Sequence, residues 1–299
     1  MTRGRATAIG FTAVLMWSVL ALLTLGTAPV PPFLLNALCF GIGGGAGLLW
    51  LVLTGGFDAL RRVPVGVYAF GTAGLFGYHA LYFTALRWSE AAGSAAEASL
   101  IAYLWPLFIV LLSGLLPGER LRPLHLIGAG LGFAGAALIV LRGGFAAEAA
   151  ALPGLWLAFL GALTWAGYSV ASRFLEQVPT AAVVVYCLAT ALLSVPFHLA
   201  FEQTMWPQGH GWLSVAALGL GPVGLAFFVW DIGMKKGDIQ LLGVASYAAP
   251  VLSTGCLVLT GRADVSATLL VATVLITGGA ALAARAGSVR PETGARSLP

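Results

Sequence analysis

The sequence predicts an all-α polytopic membrane protein with ten transmembrane helices, arranged as two inverted five-helix repeats. The chain of 299 residues is 59% hydrophobic and only 9% charged, whereas soluble domains are about 45–50% apolar and about 25% charged. Ten apolar runs have bilayer length, and the two halves of the chain share residues at a nearly constant spacing. This composition excludes a soluble two-domain enzyme, a disordered chain and a nucleic-acid-binding protein.

Each apolar run approaches the roughly 20 residues that a helix needs to cross the hydrocarbon core. The predicted spans are 7–26, 30–53, 64–86, 94–115, 124–141, 154–173, 180–200, 212–233, 241–260 and 266–285. The runs are too long and too uniformly apolar to be barrel strands, so helices are expected. Turn and charge clusters, such as Pro117-Gly118-Glu119-Arg120, separate them and leave no room for a soluble domain.

Basic residues predict the orientation. With the N-terminus in the cytoplasm, twelve of them face inward and three face outward. The inward residues are Arg3, Arg5, Arg61, Arg62, Arg120, Arg122, Arg173, Lys235, Lys236, Arg285, Arg290 and Arg296, and the outward ones are Arg87, Arg142 and Arg262. Because short cytoplasmic loops carry the excess of Lys and Arg, both termini are predicted to be cytoplasmic. Residues 287–299 are expected to form a disordered cytoplasmic tail.

An internal repeat divides the chain. Residues 11–17 (FTAVLMW) align with residues 159–165 (FLGALTW), 148 positions later, and Pro31 aligns with Pro179. Further along, at an offset of 144, residues 103–106 align with residues 247–250. The repeat predicts one five-helix half at 1–142 and a second at 154–286. Because five is odd, the second half is expected to be inverted, as in many secondary transporters.

Two matched prolines are candidates for a hinge. Pro106 and Pro250 fall near the middle of their predicted spans at equivalent positions of the repeat. Proline removes a backbone donor and frees a carbonyl one turn earlier, and such interruptions in both halves point to a midplane site. A simple kink without a ligand is the alternative.

The chain resembles the ten-helix type of the drug/metabolite transporter superfamily over residues 5–286. The resemblance rests on Tyr103-Leu104-Trp105-Pro106, on Gly118-Glu119-Arg120-Leu121, and on the following Gly128, Gly132 and Gly135. The Tyr-Leu-Trp-Pro sequence is further similar to the aromatic amino acid exporter branch. The second half departs from the pattern, because Gly261-Arg262-Ala263-Asp264 stands where a Gly-Glu-Arg turn is expected.

Aromatic and polar residues inside the spans are the candidates for substrate binding, because polar groups are costly within a membrane. They are Trp17, Tyr78, His79, Tyr82, Glu97, Ser99, Tyr103, Trp165, Tyr168, Ser169 and Tyr247. The rings are expected to line a central cavity, with an ammonium held by ring faces or by Glu97 and a carboxylate held by hydroxyls or helix amides.

Several of these residues have a second interpretation. His79 carries a coupling proton or is a neutral imidazole bonded to a neighbouring helix, and Glu97 binds substrate or caps the fourth span. Asp231, four residues before Lys235, is expected to form a local ion pair. Five tryptophans near span ends, Trp50, Trp88, Trp156, Trp206 and Trp212, are assigned to the lipid interface.

Glycine patterns predict close helix packing at Gly41 and Gly45, Gly43 and Gly47, and Gly128 and Gly132. The three cysteines, all in apolar runs, suggest packing residues, with no disulfide framework and no metal spacing. No cofactor is expected, and no signature of an ATPase, a metalloprotease or a Ser hydrolase is present.

The expected function is transport rather than catalysis. By resemblance, the chain exports aromatic or other apolar amino acids across a bacterial cytoplasmic (inner) membrane by alternating access. A carrier of drugs or other metabolites is the alternative within the superfamily. A membrane-embedded enzyme acting on lipid-linked substrates and a non-transporting scaffold or receptor are alternatives of other classes. The expected partners are a small-molecule substrate and membrane lipid, without nucleic acid; the oligomeric state stays open, with a monomer favoured.

Overall fold

A computed structural model describes residues 1–141, 149–261 and 266–288. Within these ranges the regular structure consists of helices, and no strand is present. The helices are α1 (Arg3–Ser18), α2 (Leu20–Leu25), α3 (Pro32–Thr54), α4 (Phe57–Arg61), α5 (Val65–Ala91), α6 (Ala95–Ala102), α7 (Trp105–Ser113), α8 (Pro123–Val140), α9 (Leu152–Ala171), α10 (Ala182–Phe201), α11 (Gly211–Leu220), α12 (Ala226–Lys236), α13 (Ile239–Ala245), α14 (Ala248–Leu259) and α15 (Ala267–Ser288). Arg142, Arg262 and residues 289–299, most of the predicted tail, lie outside the described residues.

Seven helical segments of the described residues are long and apolar enough to cross a membrane, so the chain is an all-α membrane protein. These segments are Arg3–Leu25, Pro32–Thr54, Ala149–Leu175, Ala182–Phe201, Gly211–Lys236, Ile239–Cys256 and Ala267–Ala286. Helices also occupy the three other predicted positions: α5 at 64–86, α6 with α7 at 94–115, and α8 at 124–141. Helix α5 continues to Ala91, five residues past the predicted boundary.

Besides the short break at Val19 between α1 and α2, two predicted spans are interrupted close to the candidate hinge prolines. The helix at 94–115 stops at Ala102 and resumes at Trp105, and the helix at 241–260 stops at Ala245 and resumes at Ala248. Each interruption lies within one turn before a proline, Pro106 or Pro250. A proline ring collides with the carbonyl of the residue four positions earlier, which explains the break at this distance.

Side chains and backbone geometry fix several helix ends. Helix α3 ends at Gly55, whose φ of 68° is the left-handed conformation that glycine adopts at little cost. At its start, the carboxylate of Glu202 accepts hydrogen bonds from the backbone N–H groups of Phe33 and Leu34, at 2.9 and 3.1 Å. The same carboxylate lies 2.9 Å from Nδ1 of His198. This contact satisfies free N-terminal donors of α3 and joins α3 to α10.

The most extensive helix contacts join the first half of the chain to the second. Helix α8 packs against α15, α3 against α10, α5 against α9, and α1 against α12. The largest group of buried hydrophobic residues likewise draws on both halves, from Ala13 to Ala249. The core therefore lies between the halves rather than within each of them.

Glycines allow the closest approaches between these helices. A Cβ atom added at Gly128 would lie 2.6 Å from the carbonyl oxygen of Gly279, and one added at Gly43 would lie 2.5 Å from Cα of Gly224. The predicted close packing is thus present at these two positions. It is absent at Gly45, where a Cβ atom would meet nothing within 4 Å. The five tryptophans assigned to the lipid interface are all exposed.

Candidate functional site

Four tryptophans from four helices meet at the centre of the bundle. Trp17 of α1 lies 5.1 Å from Trp230 of α12 and 6.0 Å from Trp105 of α7, measured between ring centroids. Trp165 of α9 lies 6.1 Å from Trp17. Two of the helices precede residue 142 and two follow residue 149. The centre is therefore filled by aromatic rings that both halves supply.

Rings of α5 and α12 extend this group on one side. Tyr78 lies 5.5 Å from Trp165 and is stacked on Tyr82 at 5.8 Å. Phe227 lies 5.7 Å from Trp165 and 5.9 Å from His79. We call the connected group the ring cluster; its members are Trp17, Tyr78, His79, Tyr82, Trp105, Trp165, Phe227 and Trp230.

The indole N–H groups of the ring cluster are hydrogen-bonded. Nε1 of Trp17 donates to the carbonyl of Pro222 at 3.0 Å. This carbonyl lies in a π-helical turn, Gly221–Leu225, in which the N–H of Ala226 bonds to Gly221 instead. Nε1 of Trp230 donates to Oγ of Ser169 at 3.1 Å. Both indole planes are thus held in place by backbone or hydroxyl oxygens.

Three further predicted residues adjoin the ring cluster. Ser99 lies beside Tyr82, and Tyr103 lies near Tyr82 and Tyr78. Tyr168 lies 5.4 Å from Trp165 and fills the space beside Gly74, between α9 and α5. The structure therefore gathers nine of the eleven predicted residues, including Ser169, in one region.

Exposure divides this region into two sides. Trp165, Tyr168, Ser169 and Trp230 are buried. Tyr78, His79, Tyr82, Ser99 and Tyr103 are half-buried. Trp17 is half-buried as well, so the partly exposed side chains are those of α1, α5, α6 and the break between α6 and α7.

Charged residues collect at one end of the bundle, which we call the charged end. Arg3 pairs with Glu119 at 3.1 Å and with Asp238 at 3.4 Å, and Arg173 pairs with Glu119 at 3.8 Å. We call these four residues the charge network. Arg3 and Glu119 belong to the first half, Arg173 and Asp238 to the second, so two of the three pairs join the halves.

A second ion pair, the one expected at Asp231 and Lys235, is present near the charged end. Their charged atoms are 2.9 Å apart, and both side chains are almost fully buried. Thr180 donates to the Asp231 carboxylate at 2.7 Å, and Nζ of Lys235 donates to the carbonyl of Val178 at 3.1 Å. Full pairing and hydrogen bonding offset the cost of burying both charges.

The half-buried side of the ring cluster points away from the charged end. Helix α9 runs from Gly154, which packs on Ser89 near the end of α5, toward Arg173 of the charge network. Tyr78 and Tyr82 precede Ser89 by at most three turns of α5. The closed side therefore faces the charged end, and the accessible side faces the opposite end.

One predicted binding residue, Tyr247, lies apart from the ring cluster. Tyr247 is fully buried 6.3 Å from Phe133 of α8, in a separate group of buried residues with Ala136 and Ile276. Glu97 is buried in the first turn of α6, where Ser94 makes no capping hydrogen bond. Pro106 and Pro250 are both buried just after the helix breaks.

Three ring-cluster residues were not predicted from the sequence: Trp105, Phe227 and Trp230. A usable signal was the repeat itself, because the offset of 148 aligns His79 with Phe227 and Tyr82 with Trp230. Trp105 lies inside the Tyr-Leu-Trp-Pro sequence. Among residues 1–141, 149–261 and 266–288, no group of three or more His, Cys, Asp or Glu could hold a metal ion.

Comparison with known proteins identifies the family. The family model described as EamA-like transporter family matches residues 5–141 and 152–285, nearly the whole chain. The chain belongs to the EamA-like transporter family.

Relatives with names are similar over almost their full length. A protein named aromatic amino acid exporter YddG from Ancylobacter novellus is 53% identical over 285 residues, covering 95% of this chain and 98% of the relative. A protein of the same name from Escherichia coli K12 is 25% identical over 292 residues, covering 94% and 97%. A solved crystal structure, 53% identical, superposes with a TM-score of 0.90 over 95% of this chain and 99% of that one.

Proposed function

We propose that this EamA-like transporter exports aromatic or other apolar amino acids across the bacterial cytoplasmic membrane by alternating access, and that it is not an enzyme. The observation that carries the proposal is the ring cluster, to which both halves contribute rings at the centre of the bundle. The relatives named as aromatic amino acid exporters support the substrate class.

The proposal includes two five-helix halves of opposite orientation, with ten spans in all. The pairing of helices supports this arrangement. If the five predicted spans before residue 142 are exchanged in order with the five after residue 149, the contacts α3–α10 and α8–α15 map onto themselves. The contact α5–α9 then maps onto α1–α12, which is also among the most extensive. A twofold relation between the halves produces this pattern.

The charged end is proposed to face the cytoplasm, together with both termini. Arg3, Arg173 and Lys235 lie at or near this end, as the excess of basic residues in cytoplasmic loops requires. In this orientation the accessible side of the ring cluster faces outward, and the charge network and the buried rings close the cytoplasmic side.

The ring cluster suits an aromatic amino acid in two respects. Ring faces and edges of Tyr78, Trp165 and Trp17 offer contacts to an apolar side chain, each worth about 0.5–1.5 kcal/mol beyond the area buried. An ammonium group is attracted to ring faces and to the buried carboxylate of Glu97, and the hydroxyls of Ser99 and Tyr103 offer donors to a carboxylate.

The helix breaks are proposed to act as hinges. Both fall at matched positions of the repeat, just before Pro106 and Pro250. A break concentrates bending at a few backbone torsions. Bending there changes the end of the bundle at which the ring cluster is accessible, while the longer helices stay intact.

Exchange in liposomes tests the proposal. Purified protein is reconstituted, and exchange of labelled phenylalanine, tryptophan, threonine and a nucleotide sugar is measured with and without a pH gradient, against empty liposomes. We expect phenylalanine and tryptophan to exchange well above the empty control and the nucleotide sugar to stay at its level. Exchange of the nucleotide sugar alone would favour a carrier of other metabolites, and no exchange of any amino acid would contradict the proposal.

A further inference from the structure

A cavity at the charged end combines a pair of opposite charges with an apolar floor. It lies between α1 and α13 and has a volume of about 550 Å³, within the roughly 300–1,000 Å³ typical of small-molecule sites. Its charged lining residues are Arg3 and Asp238, and its apolar lining includes Phe11, Leu241 and Leu242. It is separate from the ring cluster, because it shares none of the ring-cluster residues.

We propose that this cavity is a second substrate site, which takes up the zwitterion of an apolar α-amino acid from the cytoplasm before it reaches the ring cluster. The Arg3 guanidinium binds the substrate carboxylate, and the Asp238 carboxylate binds the ammonium group. The substrate side chain lies on Phe11. The inference rests on the proposed function, because it assumes that an amino acid is the substrate.

The charges in the cavity suit this ligand. The guanidinium of Arg3 and the carboxylate of Asp238 are 3.4 Å apart, so a carboxylate and an ammonium on one carbon atom can reach both. Guanidinium–carboxylate contacts are directional and strong. The Arg3 side chain is 52% exposed and that of Asp238 is 19% exposed, so neither must leave a dry interior to bind a ligand.

Asp238 is held in position from two sides. Its Oδ1 accepts a hydrogen bond from the N–H of Leu241 at 3.0 Å, which caps α13. Its own N–H donates to Oγ1 of Thr7 at 2.8 Å. The second carboxylate oxygen, Oδ2, faces Arg3 and is the one that an ammonium group would meet.

Substrate binding here weakens the contact between the halves. Arg3 belongs to the first half and Asp238 to the second, and the two ends of the substrate would replace their mutual contact, while Arg3 keeps its pair with Glu119 inside the first half. Arg173 and Glu119, 3.8 Å apart, remain as the other pair of the charge network between the halves. The presence of substrate on the cytoplasmic side thus favours opening of that side, through ligand contacts that only the loaded state makes.

The test compares neutral variants of the two residues with a matched control. Arg3→Gln removes the cation. Asp238→Asn removes the anion, and the new Asn side chain can still cap α13. Arg5→Gln makes the same change two residues away, at an exposed position outside the cavity lining. Exchange of labelled phenylalanine in liposomes is measured with two competitors, phenethylamine, which lacks the carboxylate, and 3-phenylpropionate, which lacks the ammonium group.

We expect both variants to lower phenylalanine exchange about tenfold, as the loss of one charged hydrogen bond predicts, and Arg5→Gln to leave it unchanged. In Arg3→Gln, phenethylamine should compete almost as well as phenylalanine. In Asp238→Asn, 3-phenylpropionate should compete almost as well as phenylalanine. A wild-type pattern of competition in both variants would overturn the second site while leaving amino acid export in place.

Two further measurements distinguish an amino acid in the cavity from a bound lipid. The melting temperatures of the wild type and of Arg3→Gln in detergent, with and without phenylalanine, report binding without transport; equal stabilisation of both proteins by phenylalanine would overturn the site. Liposomes with and without phosphatidylethanolamine test a lipid headgroup of the same charge pattern. If the competition pattern changes only when this lipid is present, the occupant is a lipid and the proposal is wrong.

Discussion

The two interrupted helices break at matched positions, but their tyrosines have different surroundings. Tyr103, in the break between α6 and α7, is half-buried beside Tyr78 and Tyr82 of the ring cluster. Tyr247, in the break between α13 and α14, is fully buried against Phe133, away from the ring cluster. The two halves thus share a helix break, but the tyrosines at the two breaks differ. Tyr103 lies at the candidate site, and Tyr247 packs between helices.

The largest effect is expected at the packing tyrosine. Tyr247→Ala removes a fully buried ring and should destabilise the protein by about 3–5 kcal/mol, the usual cost of truncating a large buried aromatic side chain. The melting temperature of the purified protein in detergent measures this loss. Leu259→Ala, in the same helix α14 but 88% exposed, is the control and should change little. Equal stability of the two variants, with transport lost only in Tyr247→Ala, would make Tyr247 a site residue instead.

Tyr103 should show the opposite behaviour. Tyr103→Ala is expected to reduce phenylalanine exchange about tenfold, as the loss of one aromatic contact of about 1.4 kcal/mol predicts. Its melting temperature should remain close to that of the wild type, because the side chain is only half-buried. Tyr103→Phe separates the ring from the hydroxyl. If Tyr103→Ala is unstable but each folded molecule transports at the wild-type rate, Tyr103 contributes to packing rather than to substrate binding.

The contact of Tyr247 with α8 allows a smaller, sharper test. A Cβ atom added at Gly132 would collide with the base of the Tyr247 ring, which cannot move aside easily because it is fully buried. Gly132→Ala should therefore destabilise by about 1–3 kcal/mol. Gly130→Ala, in the same helix, meets nothing within 4 Å and should be neutral or slightly stabilising. Equal melting temperatures of the two variants would show that Tyr247 has room to move.

The sequence predicted most of the helices because apolar runs and turn clusters are local signals. Boundaries near polar residues were less accurate: α5 continues through Arg87 and Glu90, which the apolar pattern alone excludes from the span. The helix breaks were placed in the right spans by Pro106 and Pro250, but a proline does not tell from sequence whether a helix bends or stops.

The sequence predicted that aromatic residues form the candidate site, but it identified only some of the residues that lie there. Intramembrane aromatic residues pointed to the correct helices, and the repeat contained the alignment of Tyr82 with Trp230. Tyr247 lies against α8 rather than in the ring cluster, because a repeat aligns backbones, whereas the neighbours of a side chain depend on the partner helix. The charge network joins Arg3 to Asp238 across 235 positions of the chain, and no local pattern specifies such a pair.

His79 provides the smallest expected effect and tests which role this residue has. Nδ1 lies 2.7 Å from the carbonyl of Leu75, four residues earlier, and the ring packs edge-on against Phe40 at 5.0 Å. A hydrogen bond from Nδ1 to this carbonyl is possible in both protonation states, but the apolar rings of Phe40 and Phe227 around the imidazole disfavour a charge, which favours a neutral imidazole in a positioning role over a carrier of the coupling proton. His79→Gln should therefore keep the wild-type response of exchange to a pH gradient, with exchange rates within about threefold of the wild type, the worth of one modest hydrogen bond.

His210→Gln, at an exposed position before α11, is the matched control. If the response to the gradient disappears in His79→Gln and persists in His210→Gln, the coupling proton resides on His79, and the first half contributes proton coupling as well as aromatic rings to the site.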